Sequence, residues 1–142
     1  MNIFYLDKNP ATAAKVQYNK HVVKMILESA QMLCAAHHIL GNPNDVPYKL
    51  AHKNHPCTIW VRENSLHYDW LYAHMIALGL QYTYRYGKVH KSIVKCIKRG
   101  FNVQNYIGAW DNVPQELMND YKVEDNDIKI IKQIIYERRF NK

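Results

Sequence analysis

Four lysines recur at helical spacing in the middle of the chain, at steps of three, four and three residues: Lys88, Lys91, Lys95 and Lys98. That spacing places four ammonium groups on one face of a helix. Solvated helix faces usually mix charges of both signs, but no Asp or Glu occurs between Asp69 and Asp111. We therefore expect this stripe, flanked by Arg85 and Arg99, to bind phosphate groups, the alternative being an ordinary solvated face.

A second polar stripe lies near the start of the chain, also at helical spacing, and consists of Gln17, His21, Lys24, Glu28 and Gln31, with Lys20 beside it. An imidazole, an ammonium and a carboxylate on successive turns can transfer protons and bind an anion together. We expect His21 and Glu28 to act as acid and base. Lys20, Lys24 and Gln31 would bind phosphate, the alternative being an exposed surface.

The remaining motifs give weaker indications of function. The closest pair of histidines, His52 and His55, has no Asp or Glu nearby, which argues against zinc, and no cofactor is expected. Three alternating tyrosines could stack on bases or pack at the end of a core helix: Tyr82, Tyr84 and Tyr86. No glycine-rich phosphate loop and no Gly-x-Ser-x-Gly elbow occur, which argues against nucleoside triphosphate hydrolysis and a serine hydrolase.

The elements that must position these groups are predicted to be helices within one domain spanning residues 1–142. Asn9 and Pro10 form a helix start, and no Gly or Pro follows until Gly41, which predicts a first helix of about 30 residues crossing the body. Further helices are predicted over residues 56–86, with a possible restart at Asn64 and Ser65, and over residues 88–99 and 125–139. The fold class is all-α.

Composition bounds the environment. The net charge is +7, and residues 1–110 hold thirteen basic against five acidic residues, so the positive charge is concentrated there. The longest uncharged stretch of the middle region, residues 70–84, is too short to span a bilayer, and the first residues do not resemble a secretory signal. The three cysteines form no Cys-x-x-Cys pair and are expected to be free thiols. We expect a cytoplasmic protein without membrane contact.

Several of these residues resemble the phage pyrimidine-dimer DNA glycosylases. The resemblance is strongest in Cys96-Ile-Lys-Arg-Gly-Phe-Asn-Val103, Val113-Pro-Gln-Glu-Leu117 and Asp120-Tyr121. A looser likeness to uncharacterised bacterial relatives of that superfamily involves His55, Pro56 and Trp60, together with four residues of the first helix: Lys20, Lys24, Glu28 and Gln31. The resemblance implies an all-helical fold with a long first helix, and a phage protein acting inside an infected bacterium.

The resemblance also implies a chemistry. These glycosylases flip a base, attack the sugar through the N-terminal amine and use a Glu on the first long helix. Here His21 stands at the position of that Glu, so Glu28 is the nearest carboxylate on the face, and the amine would be that of Met1. His55 would join the phosphate-binding residues.

The leading hypothesis is therefore a DNA-binding, base-directed enzyme, either a glycosylase/lyase or an enzyme that transfers a group to a modified pyrimidine. The alternative is a non-catalytic binder of DNA or of a small nucleotide, such as a phage protein that sequesters a nucleotide signal. RNA recognition stays open, although no common RNA-binding motif occurs.

Overall fold

A computed structural model describes residues 2–41 and 46–99, and Gln133 by itself. The described residues form five helices and no strand. These are α1 (Pro10–Lys15), α2 (Asn19–Leu40), α3 (Pro56–Glu63), α4 (Ser65–Tyr86) and α5 (Lys91–Arg99). The all-α prediction is confirmed, whereas the helix predicted over residues 125–139 and most of the strongest resemblance lie outside the described residues.

The first predicted helix is interrupted, which corrects the expected unbroken span of about 30 residues. Its start is as predicted, because the Asn9 side chain accepts hydrogen bonds from the amides of Ala11 and Thr12 at 2.9 and 3.1 Å. The helix ends at Lys15, and α2 begins only at Asn19. The longer of the two pieces is therefore α2, with 22 residues and a length of about 33 Å.

The break is held by a residue far away in the sequence. Arg85 donates from its guanidinium to the carbonyl oxygens of Lys15 and Gln17 at 3.0 and 2.9 Å, and to Oδ1 of Asn19 at 3.0 Å. These acceptors lie where α1 ends and α2 begins, so Arg85 satisfies groups that a continuous helix would bond internally.

The second helical region restarts where the sequence predicted. Asn64 is extended, ends α3, and accepts a hydrogen bond from the His67 amide with its side chain at 3.0 Å, which caps α4. At the other end, α4 stops at Gly87, which adopts φ +71° in the left-handed region that favours glycine.

The core lies between α2 and α4, with α1, α3 and α5 packed around them. The apolar face of α2 is buried at Val22, Ile26, Ala30 and Leu33, whereas Tyr18, which precedes the helix, is 78% exposed. Helix α5 lies close to α4, since a Cβ on Gly79 would come within 2.7 Å of the Ile93 side chain. No described helix is long and apolar enough to cross a membrane.

Candidate functional site

The first turns of α2 hold exposed cations around one histidine. Lys20 and Lys24 are exposed, and His21 lies between them, half-buried. The His21 ring stacks on Phe4 with ring centroids 4.4 Å apart and an interplanar angle of 16°. The Tyr18 ring is 5.9 Å from the His21 ring between centroids, at an interplanar angle of 55°. The imidazole therefore has aromatic neighbours and is not simply open on a polar face.

His90 joins the start of α5 to this end of α2. Its Nδ1 accepts a hydrogen bond from the Ser92 amide at 3.1 Å, so Nε2 carries the proton and donates to the Val23 carbonyl oxygen at 3.1 Å. Burial lowers the pKa of His90 from its ordinary value, against the opposing effect of the hydrogen bond to Val23. The neutral ring thereby brings Lys91 and Lys24, the sequence neighbours of His90 and Val23, to the same end of the molecule.

We call the exposed ammonium groups at this end the basic surface, and it consists of Lys20, Lys24, Lys88 and Lys91. It combines two groups of residues that are far apart in sequence. One detail of the prediction is corrected: α5 begins at Lys91, so Lys88 lies in the turn after α4 and not on the helix.

The remaining members of the predicted lysine stripe have other surroundings. Lys95 is exposed and its ammonium lies 5.2 Å from the centre of the Tyr48 ring. The Tyr48 hydroxyl in turn shares a hydrogen bond of 2.8 Å with Ser92. The side chains of Lys98 and Arg99 lie outside the described part of the chain. Arg85 adjoins the basic surface through Asn19, but much of its donor capacity is used at the break between α1 and α2.

The predicted stripe on α2 is shorter than expected. Gln17 lies in the break, is 4% exposed and contacts the α4 side chain His74 at 2.9 Å, so it faces the interior. Glu28 and Gln31 are half-buried on α2. Seven residues separate His21 from Glu28, a rise of about 10 Å, so these two side chains cannot pass a proton directly between them.

Residues 3–6 form a segment whose side chains contact two different parts of the molecule. The amide of Tyr5 donates to the Ile3 carbonyl at 3.1 Å and that of Leu6 to the Phe4 carbonyl at 2.9 Å, a pattern of successive three-residue turns. Phe4 stacks on His21, whereas Ile3 and Tyr5 line a cavity. The segment therefore connects the basic end of α2 to that cavity.

The cavity has a volume of about 650 Å³ and mainly apolar walls. We call it the aromatic pocket, and it is lined by Ile3, Tyr5, Pro56, Cys57, Trp60, Leu66, His67 and Trp70. Tyr5 lies 4.8 Å from Trp70 between ring centroids, and Trp60 meets Trp70 edge to face at 6.3 Å. Aromatic side chains from both α3 and α4 thus line the space.

His67 is fixed at the junction of α3 and α4. Its Nδ1 donates to the Trp60 carbonyl oxygen at 2.7 Å, and its ring stacks on the Trp60 indole at 4.0 Å with an interplanar angle of 10°. The carbonyl is free to accept because Asn64 is extended and ends α3 there. The predicted residue His55 caps the other end of α3, where its Nδ1 accepts from the Cys57 amide at 3.1 Å.

A layer of hydrogen bonds supports the pocket wall from behind. Trp70 donates its indole N–H to the Lys8 carbonyl oxygen at 2.8 Å and stacks on His74. His74 donates from Nδ1 to the Pro10 carbonyl oxygen at 3.0 Å, so its Nε2 accepts from the Gln17 amide. Burial lowers the pKa of His74 to about 4, against the effect of the Pro10 hydrogen bond, and the ring is neutral at pH 7.

The cysteines differ in accessibility. Cys34 and Cys96 are buried, and burial raises the pKa of Cys34 to about 12 and that of Cys96 further still. Cys57 is half-buried on the pocket wall. All three are free thiols, as predicted. Within the described ranges, no group of three or more His, Cys, Asp or Glu side chains could hold a metal ion.

The aromatic pocket was not predicted from the sequence. Neither Trp70 nor His67 belonged to a predicted site, and Trp60 entered only through the resemblance. The available signal was the helix restart at Asn64, which sets His67 three residues into α4. Met1, the predicted nucleophile, lies outside the described residues. No protein-family model, curated protein or solved structure matches this chain.

Proposed function

We propose that this chain is a nucleic-acid-binding, base-directed enzyme that takes one extruded base into the aromatic pocket while the basic surface holds neighbouring phosphates. The observation that carries the proposal is the segment of residues 3–5. On one side it packs Phe4 on His21, beside Lys20, and on the other it lines the pocket with Ile3 and Tyr5. A site for a flat ring and a site for anions therefore adjoin each other.

The pocket suits a base because aromatic and apolar side chains line it. Trp60, Trp70 and Tyr5 surround about 650 Å³, which exceeds the size of one base and leaves room for its sugar. Base–aromatic stacking contributes about 1–3 kcal/mol per base. A base that has left a duplex needs such a stack to replace the neighbours it has lost.

The basic surface favours a strand over a single nucleotide. Four exposed ammonium groups exceed what one phosphate requires, and Lys24 and Lys91 are brought together by the contact between His90 and Val23. Binding through several phosphates releases counterions, so affinity should fall steeply as salt rises.

For the chemical step, His21 and Glu28 are separate participants on α2. Because about 10 Å of helix rise separates them, each would act on its own bond rather than as a hydrogen-bonded pair. The resemblance to the pyrimidine-dimer glycosylases adds the α-amine of Met1 as the nucleophile. The reaction is glycosylase/lyase cleavage or group transfer on a modified pyrimidine.

A second candidate, a non-catalytic binder of DNA or of a nucleotide, is favoured by the environment of His21. Its ring is stacked on Phe4 and has Tyr18 as a second aromatic neighbour, an arrangement that suits positioning more than proton transfer. The same pocket and the same cations would then bind a base without changing it.

The test is incubation of the protein with duplexes carrying pyrimidine dimers, abasic sites or hypermodified thymines, with borohydride added to reduce any imine. A covalent adduct mapped to Met1, or a changed base, supports the enzyme. Binding without either outcome supports the binder. Trp60→Leu, with Lys49→Ala as a control outside the site, should weaken binding. Equal binding by Trp60→Leu and the unmodified protein would overturn a role for the pocket.

A further inference from the structure

We propose that His67 selects the ring held in the aromatic pocket, by accepting a hydrogen bond at Nε2 from a ring N–H of the base. This inference rests on the proposed function and specifies its ligand. The ligand class is a planar heteroaromatic ring with an N–H donor on its edge, as in the imide of uracil-type bases.

The hydrogen bonding of His67 fixes its tautomer. A carbonyl oxygen only accepts, so the 2.7 Å contact between Nδ1 and the Trp60 oxygen requires the proton on Nδ1. In the neutral ring, Nε2 is then an acceptor with a lone pair. Among the described residues Nε2 has no hydrogen-bond partner, whereas His74 and His90 use both ring nitrogens.

The ring is also held in orientation. It lies parallel to the Trp60 indole at 4.0 Å, and the Glu63 carboxylate is 3.6 Å from the protonated Nδ1. The negative charge beside Nδ1–H favours this tautomer over the alternative one. A pocket residue fixed from three sides presents its remaining nitrogen in a defined direction, as selective recognition requires.

The other pocket side chains leave this role to His67. The two indoles can only donate, and that of Trp70 already donates to the Lys8 carbonyl. The Tyr5 hydroxyl can accept, but Tyr5 is 51% exposed and its hydroxyl can turn to water. Ile3, Pro56 and Leu66 are apolar. His67 is thus the one ring-nitrogen acceptor among the lining residues.

The pocket can discriminate between rings, because a ring without an N–H donor leaves Nε2 of His67 unpaired. A ring with N–H at its edge pairs with Nε2, whereas a ring blocked at that nitrogen leaves Nε2 buried against the ligand without a donor. An unsatisfied buried acceptor therefore gives a preference of about fivefold or more for the ring that can pair.

The experiment measures equilibrium binding of the whole protein to short single strands of abasic spacers that carry one uridine, one 3-methyluridine or no base. The spacers keep the phosphates constant, and methylation replaces the N3–H donor by a methyl group. We expect the uridine strand to bind about tenfold more tightly than the 3-methyluridine strand. In His67→Phe, which keeps a flat ring beside Trp60, the ratio should fall to about one.

Leu66→Ala separates hydrogen bonding from bulk, because it enlarges the pocket and leaves His67 in place. The ratio should persist in this variant, and its loss would identify a steric effect and overturn the inference. Equal binding of the two strands by the unmodified protein would also overturn it while the proposed function stands. If neither strand binds better than the strand without a base, the proposed function itself fails.

Discussion

The aromatic pocket and the basic surface differ in how their residues relate to the fold. Trp70 is 2% exposed, belongs to the core and also lines the pocket. Lys20, Lys24 and Lys91 are exposed and take no part in the core. Under the proposed function, ligand binding and stability therefore depend on the same atoms at the pocket, whereas at the basic surface they depend on different ones.

This difference predicts that substitutions at the two sites have different effects. A change at the pocket wall should alter both the free energy of unfolding and the affinity for ligand. A change at the basic surface should alter affinity alone.

The largest effect is expected at Trp70. Trp70→Ala removes a buried indole and its hydrogen bond to the Lys8 carbonyl, and should lower the free energy of unfolding by about 3–5 kcal/mol. Urea unfolding followed by circular dichroism measures it. Lys24→Ala is the matched surface control, expected within about 0.5 kcal/mol of the unmodified protein. A loss below about 1 kcal/mol in Trp70→Ala would show that the pocket wall is not part of the core.

Acid should weaken the protein through its buried histidines. His37 and His74 have a pKa of about 4 in the folded protein, lowered from 6.5 chiefly by burial. Between these values the unfolded chain binds more protons, so stability is complete above pH 6.5 and is lost as pH falls toward 4. Each histidine contributes up to about 1.4 kcal/mol per pH unit.

Urea unfolding at a series of pH values measures this slope. His74→Gln, which cannot gain a proton, should show a shallower slope than the unmodified protein, although its stability at pH 7 is lower. The same slope in both proteins would mean that His74 is protonated in the folded state, contrary to its hydrogen bonds with Pro10 and Gln17.

Arg85 provides a further test of the contrast. Its charge suggests that it belongs to the basic surface, but its hydrogen bonds stabilise the break between α1 and α2. Arg85→Ala should lower the free energy of unfolding by about 1–2 kcal/mol, since carbonyl groups at the break between α1 and α2 lose their donor. Lys88→Ala, three residues along, is the control and should change stability little. Thermal melts of both variants compare them, and equal melting temperatures would contradict the structural role.

The smallest effects are expected for single lysines of the basic surface. Lys24→Gln and Lys91→Gln should each weaken strand binding several-fold and reduce the slope of log affinity against log salt by about one, without a change in melting temperature. Titrations at several salt concentrations measure the slope. Lys49→Gln, an exposed lysine outside the basic surface, is the control. An unchanged slope in both surface variants would remove the phosphate contact from the proposal.

The sequence predicted those helix ends that local chemistry decides. Asn9 with Pro10, the restart at Asn64, and the stop at Gly87 were all confirmed. The break after Lys15 was not predicted, because no Gly or Pro marks it and its stabilising donor, Arg85, is 70 residues away. A local pattern cannot show a helix end that a distant side chain satisfies.

The candidate site, like the helix ends, could be predicted from the sequence only in part. The lysines of the basic surface could be found because charge patterning is visible along the chain. The aromatic pocket could not, because a cavity depends on the spacing between residues 3–5, α3 and α4. A tryptophan can fill a core or line a cavity, so the presence of Trp60 and Trp70 in the sequence does not indicate a pocket. The role proposed for His67 depends on the Trp60 carbonyl oxygen, which the restart at Asn64 leaves available as an acceptor.

The arrangement of thiols gives the molecule a built-in attachment point. An alkylating reagent needs an accessible thiolate, and burial denies it that at Cys34 and Cys96. Cys57, on the pocket wall, is half-buried, whereas the other two cysteines are buried. A fluorophore or spin label added to the native protein should therefore attach at the pocket wall and, under the proposed function, respond to ligand binding without any engineered cysteine.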